Sequence, residues 1–212
     1  MNKFIRKQLF LFFVLCTVGF TANAQFYEIG NQITRLFSPA LSGSFNYKGF
    51  IEASYLKGIG DDRFDVVDIS TTQGFKYKSW CFMGVGAGVD FMLPSLDNKQ
   101  QNDDPEIMVP VYTDFRFFIG NQSNVGMTID LRVGAAFTFA DRFNTNHGRL
   151  YEDECFYLRP SIGLRIPFSN AKRALNIGIS YQLLVSDFYD DHYGWDQHKA
   201  FNNVGATIGF EW

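Results

Sequence analysis

The sequence predicts an all-β fold, an eight-stranded antiparallel up-and-down barrel. Three observations predict it. Apolar and polar residues alternate with period two in eight separate stretches. No segment after the first 24 residues has the run of roughly 20 apolar residues that a transmembrane helix needs. The connections between the stretches alternate between short turns and longer polar loops, the plan of a barrel with two unlike rims.

The first 24 residues read as a secretory leader, cleaved in the mature chain. Lys3, Arg6 and Lys7 make a basic start, residues 9–20 an apolar core, and Ala22-Asn23-Ala24 a small-residue cleavage site. Cys16 is not read as a lipid attachment point, because Val14 and Leu15 precede it where small residues belong. The leader holds three bases and no acid, so a chain of formal net charge −3 becomes −6 without it. That acidic balance excludes nucleic acid as an expected partner. Residues 25–44 precede the barrel; Ile29, Ile33 and Leu36 have helical spacing, and a short amphipathic helix and a disordered lead are both open readings.

The first strand is expected over residues 45–57, with Tyr47, Ile51, Ala53 and Tyr55 on one face and Lys48, Glu52 and Ser54 on the other. The second, residues 67–77, is weaker because Thr71 and Gln73 interrupt its apolar face. The third, residues 81–93, alternates Cys81, Met83, Val85, Ala87, Val89 and Phe91 with Gly84, Gly86, Gly88 and Asp90. The fourth, residues 109–119, sets Asp114 and Arg116 against Val109, Val111, Phe115 and Phe117. The fifth, residues 125–139, is the most regular, with Asp130 and Arg132 opposite Ile129, Leu131 and Val133. The sixth (156–168) and seventh (175–186) continue the pattern, Leu184 being the one apolar residue on the polar face of the seventh. The eighth, residues 204–212, ends on Ile208, Phe210 and Trp212.

Alternation alone does not say which face is inside. A soluble lipocalin-like carrier is also an eight-stranded barrel, with its apolar face inward around a hydrophobic ligand. Three features favour the opposite orientation. The polar face is rich in glycine, as a crowded interior requires. It carries seven bases (Lys48, Lys76, Lys78, Arg116, Arg132, Arg159, Arg165) against six acids (Glu52, Asp68, Asp90, Asp114, Asp130, Glu211), a near balance that suits enclosed charges. Aromatic residues gather at strand ends, with Phe75, Tyr77, Phe117, Phe168 and Trp212 at one rim and Tyr55, Phe91, Phe139 and Phe156 at the other. Two aromatic girdles mark a barrel that spans a membrane.

The leader, the eight strands and the aromatic end resemble the small outer-membrane β-barrel family of the OmpA and OmpX type, over roughly residues 45–212. The resemblance implies a transmembrane β-barrel in the cell outer membrane, surrounded by outer-membrane lipid. It also implies that Ile208, Phe210 and Trp212 form the signal read by the barrel-assembly machinery, although phenylalanine is the more usual last residue. Some small barrels of this kind modify lipid A and need a Ser and a His near the outer-leaflet surface. Here His147, His192 and His198 all fall in the longer loops, and no Ser–His pair shares a strand face.

The expected role is therefore non-enzymatic, in envelope integrity or surface interaction, with a lumen closed by ion pairs; a lipid-modifying enzyme is the competing class. No cofactor is expected. Asp190, Asp191, His192, Asp196 and His198, and Glu152-Asp153-Glu154, have ligand chemistry but read first as solvated acidic loops. Tyr189, Tyr193 and Trp195 in the last loop read equally as a surface that binds an extracellular protein or glycan and as the upper girdle. Cys81 and Cys155 are expected at opposite rims, too far apart for a disulfide.

Overall fold

A computed structural model describes residues 45–60, 64–94, 106–121, 123–138, 144–145, 148–150, 154–168, 172–190 and 195–212. The leader and residues 25–44 lie outside them. Ten strands occur among the described residues: β1 (Phe45–Ile59), β2 (Phe64–Tyr77), β3 (Cys81–Pro94), β4 (Glu106–Ile119), β5 (Gly126–Thr138), β6 (Asn144–Thr145), β7 (Gly148–Leu150), β8 (Glu154–Pro167), β9 (Ala174–Asp190) and β10 (Trp195–Glu211). Eight of them close into an all-antiparallel ring, in the order β1-β2-β3-β4-β5-β8-β9-β10, with β10 returning to β1. The closing seam runs from Phe50 opposite Glu211 to Ile59 opposite Asn202. Closure leaves no unpaired edge in the ring, which satisfies every strand's backbone within the sheet.

One end of the barrel carries the short turns (the turn end), and the other carries the longer connections (the loop end). At the turn end, Lys78 has φ 50° between β2 and β3, and Gly120 starts the β4–β5 turn at φ 111°, a backbone region that suits glycine. Lys78 is thus corrected: it stands exposed in a turn, with its ammonium 5.2 Å from the Tyr77 ring, and is no part of the interior.

The last expected loop is also corrected. Residues 187–190 and 195–200 continue β9 and β10, with Asp190 opposite Trp195 and Asp187 opposite His198, so only residues 191–194 lie between the strands. Mixed polar and aromatic residues hid this extension, because beyond the apolar band period-two alternation has no hydrophobic partner to mark it. A two-residue β6 pairs with β7, and β7 pairs with β9 beyond the barrel proper.

The apolar faces point outward. Ile51, Ile69, Met83, Val85, Val111, Ile129, Ile162, Leu164, Ile177 and Ile208 are all exposed, and Ile179 reaches 61%. The charged faces point inward: Glu52, Asp68, Lys76, Asp90, Asp114, Arg116, Asp130, Arg132, Arg159, Arg165 and Glu211 are buried. This is the reverse of a soluble carrier, and it removes the lipocalin-like arrangement.

The weak second strand has a local reason. Thr71 Oγ1 donates to the Phe50 carbonyl at 3.1 Å, and Gln73 Nε2 donates to Thr71 Oγ1 at 3.2 Å, so both interruptions hydrogen-bond along the sheet. No disulfide joins Cys81 and Cys155. Cys81 sits opposite Tyr77 and Phe117 at the turn end, and Cys155 opposite Ala136 toward the loop end.

Candidate functional site

The lumen is the one enclosed polar region among the described residues, and it is built in layers. Its middle follows from the repeated Asp-x-Arg of β4 and β5. Antiparallel pairing sets Asp114 opposite Arg132 and Arg116 opposite Asp130, so each acid meets a base across the ladder. Arg116 Nη2 donates to Asp130 Oδ2 at 2.9 Å, Asp114 Oδ2 at 3.0 Å and Glu52 Oε2 at 3.1 Å. Arg132 Nη2 also binds Glu52, and its Nη1 donates to Ser70 Oγ at 3.2 Å. Two guanidiniums therefore hold three carboxylates, each with several charge-assisted bonds.

A second group lies nearer the loop end. Register places Asp68 directly opposite Asp90, two like charges on neighbouring strands. They are answered from across the lumen. Arg159 Nη1 donates to Asp68 Oδ1 at 2.7 Å, and Gln182 Nε2 donates to Asp90 Oδ2 at 2.8 Å. Arg159 Nη2 is further held by Ser54 and by Thr207 Oγ1 at 3.1 Å.

The third group stands at the turn end. Arg165 grips Glu211 in fork geometry, Nε to Oε2 at 2.6 Å and Nη2 to Oε1 at 3.1 Å. Lys48 Nζ meets Glu211 Oε1 at 2.9 Å.

Apolar layers bracket the charges, which the sequence reading missed. Phe50, Phe82 and Phe118 cluster below the middle group, with the Arg116 guanidinium 4.0 Å from the Phe50 ring centre. Toward the loop end, Leu56, Phe64, Val66, Met92, Met108, Leu184 and Phe201 pack together with Tyr112 and Tyr157, whose rings stack at 5.7 Å. Leu184 is thus no exception to its strand; it belongs to this upper layer. The missed residues shared the inward parity of the charges, and following that parity to the strand ends would have found them.

A cavity of about 20 Å³ remains between the middle group and the wall, lined by Glu52, Arg116, Thr128, Asp130, Ser161, Asn176 and Thr207. It has the size of one water molecule and offers both donors and acceptors. The wall is close-built elsewhere: a Cβ on Gly86 would stand 2.7 Å from the Thr71 carbonyl oxygen and as near to the Tyr112 ring.

Every residue expected in the lumen network, Lys78 apart, lies in one of the three groups or beside them, Lys76 included. Of the terminal pattern, Phe210 stacks on Trp212 at 6.3 Å and tilts against Phe168 at 6.1 Å, while Ile208 lies exposed on the outer face. Trp80, which the sequence reading did not single out, joins the same rim by stacking on Phe117 at 6.1 Å. Tyr193, His147, His192 and Phe139 lie outside the described residues. Tyr189, Trp195 and His198 fall within β9 and β10 by backbone alone.

No family model and no curated protein matches the chain. Solved structures do. Neisserial surface protein A superposes with a TM-score of 0.54 at 10% identity, covering 79% of this chain and 97% of that one. The outer membrane enzyme PagL superposes with a TM-score of 0.50 at 12% identity, covering 74% of this chain and 97% of that one. In fold, the chain is an eight-stranded, closed antiparallel barrel, the architecture it shares with these two solved structures.

Proposed function

We propose that this protein resides in the outer membrane as a closed, non-enzymatic barrel that supports envelope integrity or binds at the surface through its loop end. The observation that carries the reading is the inverted burial: isoleucine, valine and leucine cover the outside while arginine, aspartate and glutamate fill the inside. In water that arrangement exposes a broad apolar surface and buries costly charges, whereas in lipid the outer face is solvated by acyl chains. The aromatic clusters Tyr77–Trp80–Phe117 and Phe168–Phe210–Trp212 at the turn end suit a lipid–water boundary. Outer-membrane lipid and the barrel-assembly machinery are then its partners, and an extracellular protein or glycan would meet the region of Tyr189, Tyr193 and Trp195. Nothing in this reading requires a cofactor.

The test is gel mobility of outer-membrane fractions, unboiled against boiled. We expect the protein in the membrane fraction with a mobility that changes on heating. Protein in the soluble fraction with one mobility would refute the reading.

The likeness in fold to PagL supports a second reading, a lipid-modifying enzyme. Replacing His192 with alanine and analysing lipid A acyl chains separates the two. Our reading expects an unchanged acyl pattern, and a changed one would establish the enzyme.

A further inference from the structure

Charge is divided unequally between the two ends of the barrel. The three turn-end connections, residues 78–80, 120–125 and 168–173, hold Lys78, Lys172 and Arg173 and no acid. The four loop-end connections, residues 60–63, 95–105, 139–153 and 191–194, hold nine acids and four bases. Lys78, Lys172 and Arg173 are all exposed.

Each of these cations belongs to a turn that also carries part of a ring cluster. Lys78 has its ammonium 5.2 Å from the Tyr77 ring, and two residues on Trp80 stacks against Phe117. Lys172 and Arg173 end the turn that begins with Phe168, whose ring tilts against Phe210. The backbone of that turn is tied to the rim: the Phe168 N–H donates to the Arg173 carbonyl at 2.9 Å, and Lys48 Nζ donates to the Lys172 carbonyl at 2.5 Å. Trp80 and Phe168 are each 48% exposed, so these rings lie on the outer wall and not in the lumen. The remaining turn, residues 120–125, holds neither a charge nor an aromatic residue. In the ring of eight, the β2–β3 and β8–β9 turns are four strands apart, on opposite sides of the barrel.

An aromatic ring at a lipid–water boundary with a cation beside it suits an anionic headgroup. The ring and the alkyl stem lie against glycerol and acyl chain, while the charged tip reaches the phosphate. We propose that the turn-end rim binds anionic glycerophospholipid headgroups at two places on opposite sides of the barrel, one beside each ring cluster. The inference deepens the outer-membrane reading and rests on it. An acidic protein would also be drawn to these cations, but the geometry favours lipid. The two turns are only three and six residues long, so they hold the charges close to the ends of the strands. The rings beside them continue the apolar outer wall of Ile119, Leu164 and Ile177.

The experiment uses the full barrel refolded into phosphatidylcholine vesicles with and without phosphatidylglycerol. The chain has three tryptophans, and Trp195→Phe leaves Trp80 and Trp212, one in each turn-end cluster, as reporters. Brominated acyl chains quench a tryptophan they touch. We expect brominated phosphatidylglycerol to associate with the reporters about fivefold more strongly than brominated phosphatidylcholine, the scale of one surface cation. Lys78→Asn combined with Lys172→Gln and Arg173→Gln should remove the preference, asparagine being suited to the φ of 50° at position 78. Lys57→Gln, an exposed lysine toward the loop end, should leave it intact. No preference in the parent barrel, or one that the triple variant keeps, overturns the proposal. If the triple variant does not fold by the unboiled-gel criterion, salt decides: a preference unchanged at high ionic strength is not electrostatic and overturns it. Binding of soluble polyglutamate without any lipid preference would assign the rim to an acidic protein and overturn it too. Failure to insert into vesicles of either composition overturns the outer-membrane reading as well, whereas insertion without preference overturns this inference alone.

Discussion

Replacing Arg132 with alanine is expected to destabilise the barrel by about 3–5 kcal/mol without opening it to ions. Arg132 is 2% exposed and binds Glu52, Asp130 and the Ser70 hydroxyl, with its guanidinium 5.1 Å from the Tyr112 ring centre. Its removal leaves three buried carboxylates to one guanidinium, Arg116. The remaining charge excess is what costs free energy, more than the lost contacts themselves. The hole left in the middle layer does not make a pore, because Phe50, Phe82 and Phe118 stay below it and the Leu56–Met108–Leu184 layer stays above. Urea unfolding in lipid vesicles reads the first half, and planar-bilayer recording reads the second. A stable variant that conducts would overturn both halves together.

The second large effect is on the outer face. Ile179→Arg is expected to cost about 2–4 kcal/mol in a bilayer. Ile179 is 61% exposed, lies opposite Ala206 and Ile162, and stands several residues in from the turn end of β9. On a protein surrounded by water, an exposed isoleucine replaced by arginine changes stability by no more than about 0.5 kcal/mol. The same substitution therefore distinguishes the two solvents directly. Measured by unfolding in vesicles, a cost near zero would mean that lipid does not surround this face.

Much of this was legible in the sequence. The Asp-x-Arg repeat of residues 114–116 and 130–132 encodes its own cross-pairing, because antiparallel neighbours reverse the order of the two charges. The parity of Ile129, Leu131 and Val133 put the apolar residues on one face, since a strand has only two sides, and the balanced charges on the other face pointed that face inward. What was not legible depends on distance across the lumen. Nothing in the sequence links Asp90 to Gln182, or Asp68 to Arg159, because the partners lie on opposite walls and only closure brings them together. Lys78 misled because it shares the inward parity of Lys76, and parity loses its meaning once the backbone leaves the strand at φ 50°. The apolar layers were missed because charge was followed along each inward face to the exclusion of Phe50, Phe82 and Phe118.

The cross-lumen contacts also bear on how the barrel comes into being. Glu52 is 64 residues from Arg116 and 80 from Arg132, Asp68 is 91 from Arg159, and Asp90 is 92 from Gln182. Neighbouring strands can zip through their local turns, but these contacts gain nothing until walls far apart in the chain stand face to face. A half-built sheet would keep the local Asp114–Arg132 and Arg116–Asp130 pairs of β4 and β5 but leave Glu52, Asp68 and Asp90 without their partners across the lumen. The interior therefore favours late, cooperative closure over strand-by-strand insertion, the slow regime expected for non-local topologies.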